Sequence, residues 1–160
     1  MRWEPAHRID PRAMQVWKIH GVIKTVVLAM VLGIPTVAAL LFFHWPGWVT
    51  VIPAVIIVLY GTLEILVWPE LLLKRWRYEV TGEEIDLQRG VWLIKRTVVP
   101  LARVQHVDTR QGIIMRRYGL AGVAVSTAAG EHEIPALSVE VADELRDIIA
   151  QRARVYENEL

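Results

Sequence analysis

The chain has 160 residues, 54% of them hydrophobic, and a mean hydropathy of +0.34, which makes it more apolar than an ordinary soluble domain. Its formal net charge is +1, and residues 74–160 balance thirteen basic groups against thirteen acidic ones, a distribution that argues against a nucleic-acid binder. Cysteine is absent, which excludes disulfides, thiolate metal sites and a cysteine nucleophile.

The apolar excess is concentrated in residues 25–73, so the chain divides into regions suited to two different solvents. Residues 1–24 form a basic N-terminal segment with Arg2, Arg8, Arg12, Lys18 and Lys24 against Glu4 and Asp10. From Thr25 to Phe43 there are nineteen residues without a charge, which as a helix span roughly 28 Å, close to the ~30 Å core of a bilayer. His44-Trp45-Pro46-Gly47-Trp48 makes a turn with two tryptophans suited to the headgroup level. A second run, Val49 to Val67, carries one charge, Glu64, and is expected to end at Trp68-Pro69.

Residues 25–68 therefore read as a two-helix transmembrane hairpin. The basic residues before the first span, together with Lys74, Arg75 and Arg77 after the second, put both termini on the cytoplasmic side of the inner membrane. A cleavable signal peptide is the competing reading of the first span, but its apolar run is too long and bulky residues follow it. A buried soluble hairpin of this length would need a much larger domain to cover it. Pro53 falls in the first turn of its helix, where no hydrogen bond is lost, and Pro35 should kink the first span modestly.

Glu64 is an ionisable group inside an apolar run, where a charge costs about 2.5–3.5 kcal/mol on insertion scales. Counted from the turn, Lys24 lies about four residues, or ~6 Å, deeper toward the cytoplasmic end, within reach of a lysine stem. A Lys24–Glu64 pair across the hairpin is expected. A proton relay would need more polar groups in series than the nearby Thr62 and Tyr60 provide.

Beyond Lys74-Arg75-Trp76-Arg77 the periodicity becomes alternating. Strands are expected at Tyr78–Val80, Ile85–Arg89, Thr97–Val99, Val104–Thr109, Ala121–Thr127 and His132–Ile134, with a short excursion at Gly112–Gly119. Close spacing of strands and turns points to an antiparallel sheet closing into a small barrel or sandwich. From Ser138, a suitable N-cap, the positions Val141, Leu145, Ile148 and Ile149 fit an amphipathic helix whose acids lie early and arginines late.

Taken in order, Arg77–Thr81, Ile85–Gly90, Val99-Pro100-Leu101-Ala102-Arg103-Val104-Gln105, Val107–Gly112, Arg116-Arg117-Tyr118-Gly119-Leu120 and Val123–Thr127 resemble the bacterial pleckstrin-homology-like domain of the second type. The resemblance, over about residues 18–150 with the hairpin included, implies a cytoplasmic PH-like domain at 74–156. In fold class it implies a membrane α-helical hairpin plus a mostly β soluble domain, a seven-stranded bent antiparallel sheet or barrel capped by a C-terminal helix. It also implies assembly with itself or with a larger membrane protein carrying repeated domains of this kind, and no catalytic activity.

The residues offer little catalytic chemistry. His106 and Asp108 share a strand face and His132 lies between Glu131 and Glu133, but metal-protease spacing, a nucleophile elbow and a phosphate-cradling loop are all missing, so no cofactor, metal or catalytic residue is expected. Arg116, Arg117 and Tyr118 are candidates for gripping an anionic lipid headgroup or an acidic partner, against the plainer reading of a solvated loop with Tyr118 packed on the core. In Gly90-Val91-Trp92-Leu93-Ile94 the apolar residues, Trp92 and Leu93 above all, form either an exposed interaction tip or a buried strand. A membrane-anchored interaction module is the leading functional expectation, with the lipid bilayer as a constant partner. A sensor of anionic phospholipid headgroups and, further off, an ion or proton pathway are the alternatives.

Overall fold

The computed structural model describes residues 4–158. They divide into a helical unit, Met14–Glu70, and a sheet-rich unit made of the residues up to Ala13 and those from Leu71 onward.

In the helical unit, α1 (Ala13–Phe43) starts twelve residues ahead of the uncharged run. Asp10-Pro11-Arg12 makes the turn that begins it, with the Asp10 carbonyl accepting from the Ala13 amide at 2.9 Å. His44 takes a left-handed conformation (φ 52°) that ends α1. A 3-10 turn, Gly47–Thr50, leads into α2 (Val51–Thr62).

The second helix does not stop at Trp68-Pro69. A π turn, Leu63–Val67, carries it into α3 (Trp68–Arg75), with the Trp68 amide donating to the Leu63 carbonyl. Pro69 has no amide for residue 65 and its ring crowds that carbonyl; one extra residue in the turn makes room for the ring, so the helix passes the proline without ending. Both helical stretches, 13–43 and 47–75, are long and apolar enough to cross a membrane. Their large apolar side chains, from Val22 to Phe43 and from Val51 to Val67, stand exposed along the helical unit. In water that surface would be prohibitive, whereas hydrocarbon solvates it.

Two glycines let the helices touch. A Cβ on Gly21 would lie 2.7 Å from the Glu64 carbonyl oxygen, and one on Gly61 would lie 2.9 Å from the Thr25 methyl. Small residues at such crossings allow backbones to approach closely.

The sheet-rich unit contains two antiparallel sheets. The first has the order β1 (His7–Arg8), β2 (Arg77–Val80), β3 (Glu84–Arg89), β4 (Lys95–Pro100). A 3-10 turn, Leu101–Arg103, leads to the second sheet: β5 (Val104–Arg110), β6 (Leu120–Thr127), β7 (Gly130–Ser138). Between β5 and β6 lies the short helix α4 (Ile113–Arg117), and α5 (Val139–Asn158) closes the chain. The described strands, seven in all, fall into two antiparallel sheets of four and three. The first sheet begins ahead of the helices, so the described part of the basic segment, residues 4–24, holds a short strand and the start of α1.

The core is built from Ile85, Leu87 and Val99 of the first sheet, Leu120, Val123, Val125, Ile134 and Leu137 of the second, and Ala142, Leu145 and Ile149 on one face of α5. Ser138 Oγ accepts from the Val141 amide at 3.3 Å and so caps α5. On β3, Asp86 is buried and receives Nε of Arg96 at 2.9 Å on each carboxylate oxygen.

Gly21→Val forces a methyl-bearing carbon against a backbone carbonyl, whereas Gly33 has nothing within 4 Å. Overpacking costs about 1–3 kcal/mol. In detergent, Gly21→Val should lower the thermal midpoint by several degrees and Gly33→Val should leave it unchanged, as read by a thermal-shift assay.

Candidate functional site

Within the helical unit, Lys24 Nζ lies 3.1 Å from Glu64 Oε2. Glu64 sits in the π turn, and its backbone carbonyl faces Gly21. Thr25 and Thr62 return their hydroxyls to carbonyls one turn back, Gly21 and Val58, at 2.8 Å each. The described ion pair thus lies beside a close helix crossing, with the Thr25 and Thr62 hydroxyls engaged by the backbone.

Trp92 and Leu93 lie at the tip joining β3 to β4, 91% and 82% exposed, with Ile94 beside them. Of the two readings of this segment, the exposed tip is the one found. The cause is Gly90, at φ +109°, where an added Cβ would come within 2.0 Å of the Leu93 carbonyl oxygen. Only glycine permits that closure, which turns the following side chains away from the sheet.

Arg116 and Arg117 end α4 and are exposed, and Tyr118 is half-buried. Ile113 at the start of α4 is 92% exposed. Gly119, at φ +63°, ends the helix, and its amide donates to the Arg116 carbonyl at 3.2 Å. Among the described contacts, none joins this excursion to the Trp92 tip.

His106 Nε2 and Asp108 Oδ1 are 3.0 Å apart on β5, both well exposed, while Arg110 pairs with Glu131. His132 does not join His106 in a cluster; among the described residues, no group of three or more His, Asp or Glu comes close enough to share an ion.

Two features escape sequence reasoning. The first is a clasp made by the N-terminal segment. His7 and Arg8 pair with Tyr78 and Arg77, Ile9 is buried, and the Asp10 amide donates to the Ala136 carbonyl at 3.1 Å. Arg12 grips Asp10 through Nε at 3.0 Å and Nη2 at 2.8 Å, and its Nη1 donates to the Tyr118 carbonyl at 3.1 Å. The hydrogen bonds from Arg12 hold the Asp10 carboxyl below its ordinary pKa, against the opposing pull of burial. Pro5, Asp10 and Pro11 around His7-Arg8-Ile9 were the available signal.

The second is a groove of about 460 Å³ between β2, the end of β7 and α5, lined by Val80, Leu137, Val141 and Leu145 together with Glu144 and Arg152. Tyr78 borders it, and burial pushes its phenol pKa up.

The family described as "Bacterial PH domain" matches residues 19–153. The chain is 40% identical to UPF0699 transmembrane protein YdbS of Bacillus subtilis (strain 168), over the whole length of both. It is 26% identical to UPF0699 transmembrane protein YdbT of the same organism over 92 residues, 54% of this chain and 19% of that protein. No solved structure matches. The two sheets and the C-terminal helix fit the PH-like domain that the family implies.

The clasp makes stability depend on pH. Asp10 has a depressed native pKa, so it stabilises the fold above the unfolded carboxylate value of about 3.9, and that contribution is lost as pH falls through the lower native value. Asp10→Asn should therefore unfold at a lower temperature than the wild type at pH 7, and the gap should close in acid. Melting curves across that range check it.

Proposed function

The chain belongs to the bacterial PH domain family, and we propose that it is a membrane-anchored, non-catalytic interaction module that assembles with a second copy or with a related membrane protein. In this reading the two apolar helices cross the inner membrane with both chain ends in the cytoplasm, as the basic residues on either side of the hairpin favour.

The observation that carries the reading is α4. A domain that hides its apolar side chains well on β3, β6 and β7 leaves Ile113 92% exposed, one helical turn from the exposed Arg116 and Arg117. An exposed isoleucine with exposed arginines three and four positions on suits a partner that offers an apolar pocket beside acidic groups. The 92 residues alignable with the longer YdbT are the ground for naming a related chain as a candidate partner.

A second reading rests on the same two arginines: adjacent exposed guanidinium groups suit the phosphate of an anionic headgroup, which would make the domain a phospholipid sensor. An ion pathway would have to run through Glu64, which Lys24 already engages.

Light scattering of the full chain in detergent should return a protein mass that is a multiple of 18.3 kDa, or a complex with a related chain. The triple variant Ile113→Glu, Arg116→Ala, Arg117→Ala should fall to the single-chain mass. A wild type that is monomeric and partnerless would sink the proposal. Assembly that survives the triple variant, while a thermal shift induced by short-chain phosphatidylglycerol disappears, would favour the sensor. Unaltered assembly in Glu64→Gln is expected on either reading.

A further inference from the structure

The strand registers of the first sheet set Arg8 beside Arg77, Arg77 beside Gln88 and Gln88 beside Arg96, with Arg89 opposite Lys95 on the next rung. Five cationic residues thus gather at one end of this sheet. Arg77 pairs with Glu4 and Arg96 with Asp86, while Arg8 and Lys95 are exposed. The tip bearing Trp92, Leu93 and Ile94 springs from the same end, directly beyond Arg89 and Lys95.

Connectivity gives that end a further property. The chain leaves β1 after Arg8 toward α1, and it returns from α3 through Trp76 alone into Arg77. The sheet end that carries the apolar tip and the cations is therefore the end at which α3 leads, through Trp76, into the sheet.

We propose that Trp92, Leu93 and Ile94 insert into the headgroup region of an anionic bilayer, with Arg89 and Lys95 lying against its phosphates. This rests on the reading that the helices span a membrane. Indole is at home at the headgroup level, leucine and isoleucine favour the acyl boundary, and cations beside them are drawn to the negative surface of a cytoplasmic leaflet. Two or three side chains bind a membrane weakly in isolation. A tethered domain, however, meets lipid at a high effective concentration, so weak insertion suffices to hold it. The tip would add a reversible contact to the permanent one that the helices make.

The natural absence of cysteine allows a direct test on the full chain. Leu93→Cys is labelled with an environment-sensitive fluorophore, and Glu83→Cys, in the turn at the opposite end of the same strands, serves as the control. Both proteins are placed in lipid nanodiscs. With phosphatidylglycerol present, the label at 93 should be blue-shifted and quenched by nitroxide-bearing lipid at least about twofold more than the label at 83. Purely zwitterionic discs, or Lys95→Glu, should bring the quenching at 93 down toward that at 83.

Equal quenching of both labels by aqueous iodide, without lipid quenching, overturns the proposal while the membrane anchoring stands. Shielding from iodide without lipid quenching overturns it as well and assigns the tip to a protein partner. Lipid quenching that is the same in zwitterionic discs removes the anionic surface from the proposal and so overturns it as stated. Failure of the chain to enter nanodiscs overturns both this proposal and the spanning helices on which it rests.

Discussion

The sheet-rich unit depends on a clasp between chain segments separated by the entire helical unit. His7 and Arg8 complete one edge of the first sheet against Arg77 and Tyr78, and Asp10 and Arg12 tie the same segment to the carbonyls of Ala136 and Tyr118, one through a backbone amide and the other through a guanidinium. Two strand residues add little hydrogen bonding alone. Together with the buried Ile9 they cover an edge that would otherwise present unpaired backbone groups. The domain is discontinuous in sequence, and a fragment beginning at Leu71 would lack its first strand. The family match covers residues 19–153, so the N-terminal half of the clasp lies outside the matched segment although it is part of the fold.

Different physics governs the helical unit. Lipid offers no hydrophobic reward for bringing two apolar helices together, so close packing and polar pairing must do it. Gly21 and Gly61 permit the approach, and Lys24 with Glu64 gives each charge a partner in a setting where an unpaired one is costly. The π turn that admits Pro69 also holds Glu64, so the same irregularity lets the helix run on to Arg75 and carries the acid that Lys24 meets. The bilayer thus shapes this unit through what it fails to solvate.

Much of this was legible in the residues, and what was not has identifiable causes. Long uncharged runs reveal helices because a bilayer demands a fixed length of apolar chain. Counting depth from the turn brings Lys24 and Glu64 to nearby levels, and strict alternation in Ile85–Arg89 marks a strand. His7-Arg8 is too short to show any period, so only the prolines and Asp10 around it mark it, and nothing local points to its partner, which is remote in sequence. Pro69 reads as a stop because the rule concerns an α-turn, and a π turn changes the hydrogen-bond spacing to which the rule applies. The division into two sheets turns on the 3-10 turn at Leu101–Arg103, whose residues carry no signature of a break in pairing. At Val91–Ile94 an apolar run suits a buried strand and an exposed tip equally, and the closure at Gly90 that decides between them is a matter of backbone geometry.

The clasp also sets a timetable for biosynthesis. His7 and its partner Tyr78 are separated by 71 positions in the chain, and at ribosomal rates of about 5–20 residues per second the first strand waits roughly 4–14 s before its partner has been made. In that interval both apolar helices are synthesised, while His7 and Arg8 await the strand they will pair with. Two crossings return a chain to the side from which it set out, so the first strand shares a compartment with its sheet whenever both helices cross. Topology and folding are linked through one short stretch of chain: a molecule in which one helix failed to cross would leave the first strand on the far side of the membrane from its sheet, and the domain would lose an edge.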